Sequence, residues 1–440
     1  MSVNRAATQN YPVARHCRKR YGGKMSLFRA FKPVTLADAK SLPRWRQPIV
    51  LLFLMGAAMP LSFSVWSALL NNFVVEVAAF DGVKIGWLQS VREIPGFLAI
   101  GVIAVILFMR EQVLGVVALI ALGMATAVTS YFPSFEGLLI TTMISSLGFH
   151  YYETVNQSLQ LQWLDRKRAP QILGWIVAVG SAASLLAYGL IVMGWKYWGL
   201  TYEVAYLIGG GATVALAMVA FFAYPQFESP TPQIKRMVFR RRYWLYYALQ
   251  FMAGARRQIF IVFAAFMMVE HFHFNVDTLT ALFLINYVAN IIFAPIMGRV
   301  VTLFGERKAL TFEYVGLFAV FLAYGGIYSF GWGATMAAAL YIADHLFFAL
   351  AFAQKTYFQK IADPKDIAPT AAVAFTINHI AAVFLPAGLG YLWILHPSWV
   401  FGIAACMALV SLVLALMIPR HPSEGRETIF AHGSPPVLAE

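Results

Sequence analysis

Arg256 and Arg257 stand side by side in FMAGARRQIF, a run otherwise built mostly of apolar and small residues. Two adjacent guanidiniums offer a fork of fixed positive charge to a carboxylate, phosphate or sulfonate, a geometry that a point-like ammonium does not match. Other ionisable residues sit in similarly greasy surroundings: His150 and Glu153 in LGFHYYETV, Arg92 and Glu93 in QSVREIPGF, Asp344 and His345 in YIADHLFF, and Lys355. Asn286, Asn290, Asn378 and His379 add neutral polar groups. No HExxH zinc pattern, phosphate-binding loop or paired nucleophile and base accompanies them. An enzyme, an ATP-driven pump, a cofactor and a bound metal are therefore not expected.

The elements that must position these residues are membrane spans. Of 440 residues 60% are hydrophobic and only 12% charged, and the mean hydropathy is +0.68, against the roughly 45–50% apolar content of a soluble domain. The formal charge of +13 would suggest nucleic acid in a soluble protein. Here the basic residues gather in the tails and in alternate loops, as an orientation signal does, so no nucleic-acid partner is expected. Cys17 lies in the basic tail and Cys406 in the last span, which implies no disulfide or metal framework.

Apolar runs near the roughly 20 residues needed to cross a bilayer fall at about 49–73, 85–109, 113–131, 137–164, 169–194 and 203–224, then at about 243–268, 279–301, 309–328, 334–361, 368–394 and 398–419. The chain thus divides into a disordered basic tail (1–47), a six-helix bundle (48–226), a linker (227–242), a second six-helix bundle (243–420) and a short tail (421–440). The linker FESPTPQIKRMVFRRR carries Lys235, Arg236, Arg240, Arg241 and Arg242, and Arg110, Arg166, Lys167, Arg168, Arg307, Lys308 and Lys365 fall on the same side. The opposite loops hold only Lys84 and Lys196. This asymmetry places both termini in the cytoplasm.

A charge at the bilayer centre costs about 2.5–3.5 kcal/mol on insertion scales, so each needs a partner or a task. Arg256 and Arg257 lie roughly 20 Å into their span at 1.5 Å per residue, and successive residues point about 100° apart. Two arrangements stay open: at least one arginine meets the substrate, or both are locked by acids on other spans. Asp344 fits the partner of such a lock better than a proton carrier. His150 and Glu153, at i and i+3, share one helix face; Glu153 is the foremost candidate for the coupling proton, with Asp344 and His345 behind it, and a carboxylate paired permanently with an arginine is the alternative that stays open. His150, Asn286, Asn290 and His379 complete the substrate-contacting set. Arg92, Glu93 and Lys355 read as gating or structural ion-pair residues.

The two halves repeat at about 200 residues, as many transporter folds do: Gln160 aligns with Gln359, Ala169-Pro170 with Ala368-Pro369, and FLMGA (53–57) with FMAGA (251–255). After the eighth span, GRVVTLFGERK (298–308) resembles the loop signature of the major facilitator superfamily through Gly298, Gly305, Arg307 and Lys308, with Thr302 where that family usually has Asp. The resemblance covers about residues 48–420. It implies an all-α membrane protein of about twelve helices in two six-helix bundles that rock about a midplane site, with spans 1, 4, 7 and 10 lining the cavity. It further implies a secondary active transporter of a small solute, here an organic anion moved with a proton, acting as a monomer in the lipid bilayer of a bacterial inner (plasma) membrane. An exporter of a hydrophobic or lipid-like compound and a non-transporting sensor of the same fold remain as alternatives.

Overall fold

In hydrocarbon every backbone polar group must be satisfied inside its own segment or within a closed barrel, and the described spans of this chain take the helical solution. The computed structural model describes residues 33–98, 101–106, 108–164, 169–228, 239–363 and 366–431. Arg166, Lys167, Arg168, Lys235, Arg236 and Lys365 lie outside the described residues. The first half holds α1 (Pro48–Glu76), α2 (Gly82–Phe97), α3 (Gly101–Val105), α4 (Glu111–Val128), α5 (Phe135–Trp163), α6 (Ala169–Tyr197) and α7 (Tyr202–Ala223). The second holds α8 (Trp244–Ile259), α9 (Ala265–Glu270), α10 (Val276–Phe304), α11 (Glu306–Phe330), α12 (Ala334–Phe348), α13 (Phe352–Ile361), α14 (Ile367–Leu395) and α15 (Pro397–Leu416). One turn of π-helix, Phe260–Ala264, joins α8 to α9.

Among the described residues ten helical segments are long and apolar enough to cross a membrane. The two expected crossings outside that set are α2 with α3, and α5. These are the segments that carry Arg92, Glu93, His150 and Glu153; α2 has only 16 residues and α3 five, while in α5 the polar residues lower the hydropathy. Local signals set the ends. Asp81 and Ser134 cap α2 and α5 by accepting from Lys84 N (2.9 Å) and Gly137 N (3.0 Å), and Pro170 sits in the first turn of α6, where its missing N–H costs nothing. Ile208, Phe222 and Phe384 are exposed, as side chains facing lipid tails must be.

The described part of the N-terminal segment is more ordered than expected, and both described ends of the linker are anchored. Residues 33–47 are not a loose tail: β1 (Val34–Thr35) pairs in parallel with β2 (Phe227–Glu228), and Ala39 is buried among apolar neighbours that include Leu36 and Leu42. Gln112 ties the strand to the bundle, donating to Pro225 O and accepting from Phe227 N, both at 2.9 Å. At the other end of the linker Arg240 grips Asp366 with two hydrogen bonds, Nε to Oδ2 at 2.7 Å and Nη2 to Oδ1 at 3.0 Å. This grip holds the Asp366 carboxyl below its usual range.

The halves meet most closely on the side away from the linker. Gly86 and Gly390 let α2 and α14 touch backbone to backbone: a Cβ on Gly86 would lie 2.3 Å from Pro386 O, and one on Gly390 2.3 Å from Gly82 O. Asn72 donates to Phe274 O at 2.6 Å and Ala387 N to Ser90 Oγ at 3.0 Å. A single apolar cluster runs across both halves there, through Phe73, Leu88, Phe263 and Trp393. Toward the linker side the first half keeps a separate core around Leu52, Met55, Leu119 and Tyr152. The far side is sealed.

Candidate transport site

Between the halves lies a cavity of about 450 Å³. Part of its wall is aromatic, with Phe63, Trp66, Phe149, Tyr188, Phe260, Tyr287, Tyr341 and Phe375, part is neutral and polar, with Asn71, Gln89, Thr142 and Ser145 among others, and its charged residues are Arg92, Glu93, Glu153 and Arg257. The charged groups come from three helices, α2, α5 and α8.

The two adjacent arginines do not form a fork. Arg256 is 1% exposed and absent from the cavity wall. It turns into the second half, with Nη2 3.9 Å from Glu313 Oε1, its guanidinium 4.5 Å from the Tyr314 ring centre, and buried Asp344 within electrostatic reach. The roughly 100° between successive helical residues separates them: Arg256 is enclosed against α11 and α12 at ion-pair rather than hydrogen-bond distance from Glu313, while Arg257 faces the cavity. Asp344 therefore belongs with Arg256, away from the solute space. Arg257 interacts electrostatically with Glu93 and Glu153, and its buried Nε has no hydrogen-bond partner among the described residues.

On the opposite wall Arg92 donates to Oε1 of its neighbour Glu93 through Nη2 at 2.5 Å and Nε at 3.0 Å, and its guanidinium lies 5.5 Å from the Trp66 ring centre. The backbone carbonyl of Arg92 also accepts from Ser146 Oγ on α5. Glu93 Oε2 reaches across the halves to His379 Nε2 at 3.6 Å. His150 and His379 meet edge to face with ring centres 5.3 Å apart. Gly96 makes room for them: a Cβ there would lie 2.5 Å from His379 Cδ2 and 2.7 Å from His150 Cε1.

The family description "Major Facilitator Superfamily" matches residues 246–439. The nucleoside transporter NupG, as its D323A mutant, superposes with a TM-score of 0.69 at 12% identity, covering 84% of this chain and 99% of that one. The fold is that of the major facilitator superfamily. A bacterial homologue of the human lysosomal transporter Spinster, in an inward-facing and occupied conformation, gives a TM-score of 0.63 at 12% identity over 83% of this chain and 95% of its own. A bacterial homologue of the iron transporter ferroportin, inward-facing, gives 0.61 at 11% over 85% and 98%. No curated protein sequence matches the chain.

In this major facilitator arrangement all four expected spans line the cavity, through α1, α5, the α8–π–α9 segment and α12. His150, Glu153, Arg257, Asn286, His345 and His379 are in the wall, and so are Arg92 and Glu93. Asn286 is buried with Oδ1 unpaired among the described residues. Asn290 lies on α10 with its side chain outside the described residues, as do the surroundings of Gly298. Lys355 is exposed on α13, away from the cavity. In the loop motif Gly305 takes φ +80°, a left-handed turn that lets α10 pass directly into α11; Arg307 is half-buried and Lys308 exposed. Between them in role, Glu306 is buried and paired with Lys360 at 2.7 Å. Glu313, an acid inside the ninth apolar run, is a further buried charge that the sequence makes legible. Gln89 and Gln258 also line the wall; their polarity is ordinary, and only packing reveals their place.

Proposed function

We propose that the protein is a secondary active transporter that carries a small organic anion by alternating access, with Glu153 taking and releasing the coupling proton. The observation that carries this is Arg257, a guanidinium turned into the interhalf cavity between Glu93 and Glu153. Arg92 is already satisfied by Glu93, so Arg257 is the cation open to exchange. With Glu153 ionised, the four cavity charges cancel. When Glu153 takes a proton, Arg257 is released to pair with an incoming carboxylate, phosphate or sulfonate, and the site is neutral again. Proton and anion then bind together, and neither state leaves a large uncompensated charge out of water.

The aromatic wall gives the anion its body. Rings at Trp66, Phe149, Phe260 and Phe375 favour an apolar or aromatic skeleton over a fully hydroxylated one, as small-molecule pockets combine apolar walls with few polar anchors. NupG and the ferroportin homologue are described as transporters of nucleosides and iron, so the fold alone selects no substrate; the side chains do. The linker side, with its basic residues, is assigned to the cytoplasm, the bilayer to a bacterial inner membrane, and the sealed far side to the exterior, so the protein faces inward in this conformation. It works as a monomer in this reading, because the cavity is complete within one chain.

The test is counterflow in proteoliposomes with radiolabelled aromatic carboxylates, phosphate esters and neutral analogues, in mildly acidic and mildly basic buffer. Anion exchange that requires Arg257, together with accumulation driven by an inward proton gradient and lost in Glu153→Gln, is expected. Equal exchange of neutral hydrophobic compounds, undiminished in Arg257→Gln, would replace the anion by the hydrophobic-exporter alternative. Binding without exchange would mark a sensor.

A further inference from the structure

Three residues in the cavity wall converge without having any sequence spacing in common. Glu93 (α2), His150 (α5) and His379 (α14) each present a donor atom within 4.8 Å of the others, and all three are buried. We propose that these residues bind a divalent transition-metal ion of the zinc class, and that the anion held by Arg257 completes its coordination. The inference rests on the function above only for the anion; metal binding stands or falls by itself.

The donor set comes first. Two imidazoles and one carboxylate suit borderline ions such as Zn²⁺, Co²⁺ and Fe²⁺, and are a poor match for Mg²⁺ or Ca²⁺, which prefer oxygen throughout. Each donor is also prepared. His379 Nδ1 lies 2.8 Å from Phe375 O; the carbonyl can only accept, so the proton sits on Nδ1 and the Nε2 lone pair points at Glu93. Such a hydrogen bond from the remote nitrogen is the usual support of a ligating histidine. Glu93 gives Oε1 to Arg92, which fixes the carboxylate and leaves Oε2 toward His379. His150 Nδ1 is buried with no hydrogen-bond partner among the described residues, a cost that a ligand would remove.

The distances are close to those needed. Bonds of about 2.1 Å to a tetrahedral ion put donors roughly 3.4 Å apart. His379 Nε2 and Glu93 Oε2 are already 3.6 Å apart and no donor pair exceeds 4.8 Å, so a shift of the His150 ring by at most about 1.4 Å closes the site. Gly96 supplies the space: the two rings occupy the position any side chain there would claim.

Charge decides what accompanies the ion. Arg92 and Arg257 both act electrostatically on Glu93, His150 and His379, and the cavity's two acids only balance its two arginines. A bare divalent cation would add two uncompensated charges. A dianionic co-ligand that reaches Arg257 while Glu153 stays ionised offsets them and fills the open coordination position. Because Glu93 and His150 belong to the first half and His379 to the second, the ion also bridges the halves, and the site comes apart when they separate.

The experiment titrates the purified full-length protein in detergent near neutral pH with CoCl₂, reading visible d–d absorption and heat, with and without phthalate, an aromatic dicarboxylate that chelates Co²⁺ only weakly in free solution, as the probe anion. The expected result is one saturable site with the intense bands of four- or five-coordinate Co²⁺, bleached by ZnCl₂. His150→Ala and His379→Ala should each weaken binding by more than the about 10- to 100-fold that loss of an outer-shell partner costs. Phthalate should tighten Co²⁺ binding in the wild type but not in Arg257→Gln, which keeps the three ligands. A wild-type spectrum indistinguishable from the hydrated ion, or binding undiminished in both histidine variants, would overturn the proposal and leave anion counterflow untouched. Saturable Co²⁺ binding without any anion counterflow would support the metal site while removing the transport reading.

Discussion

Gly86→Ala tests how the far side is sealed. The added Cβ would lie 2.3 Å from Pro386 O and 3.0 Å from the Pro386 carbonyl carbon, where ordinary contact begins at 3.4 Å. The obstacle is main chain on both sides, so no rotamer relieves it, and α2 and α14 must part by about 1 Å. Overpacking of this kind costs about 1–3 kcal/mol. Only the conformation in which the two helices touch bears that cost, so the balance between closed and open far sides should move by about 5- to 150-fold toward open. Gly388 is on the same helix with nothing within 4 Å of its Cβ position, and Gly388→Ala is the control. Spin labels at Val77 and Leu395, both exposed, in a background with Cys17 and Cys406 changed to Ser, report the far-side distance by pulsed electron resonance. A longer-distance population in Gly86→Ala and none in Gly388→Ala is expected. An unchanged distribution in a well-folded Gly86→Ala would refute the argument that this backbone contact controls closure.

Arg256→Met should cost about 3–5 kcal/mol, because it strands buried Glu313 and Asp344 without their counter-charge; the triple variant with Glu313→Gln and Asp344→Asn should recover most of the loss, read by thermal unfolding in detergent. Gln112→Ala leaves Pro225 C=O and Phe227 N–H without their partner, at about 1–3 kcal/mol for each buried group left unpaired, and should lower the same unfolding temperature. The Arg240–Asp366 pair should contribute fully above the ordinary aspartate range near 3.8 and fade as pH falls through the lower value it has in the folded protein; Asp366→Asn should therefore flatten the acid limb of stability against pH and leave the neutral region lower.

The apolar runs meet the ends of most helices to within about three residues, because a membrane span must be long, helical and mostly apolar, and each requirement is written locally; the run at 85–109 is the exception, since α2 ends at Phe97. Expected spans such as 334–361 and 137–164 meet the observed Ala334–Ile361 and Phe135–Trp163. The site was legible one residue at a time. Arg257, Glu153 and His150 were visible as charges with no business in hydrocarbon, but which arginine faced the cavity depended on where α11 and α12 lie. The convergence of Glu93, His150 and His379 was hidden for a simpler reason: ligands from three helices have no common spacing. The order of residues 33–47 was also missed, since charge dominates that stretch and the few apolar residues that anchor it, Val34, Leu36 and Ala39, form no run.

The strand at Phe227–Glu228 and the grip of Arg240 on Asp366 pin the two ends of the connecting segment to opposite halves. Twelve residue steps separate Glu228 from Arg240, and a fully extended chain covers at most ~3.3–3.6 Å per step, so the anchors can never stand more than roughly 40 Å apart. The segment is thus a leash with fixed attachment points rather than a loose connection. Each residue deleted from it takes about 3.5 Å from that reach, so a graded set of deletions would act as a ruler, and the length at which transport stops would give the widest gap that the working cycle needs.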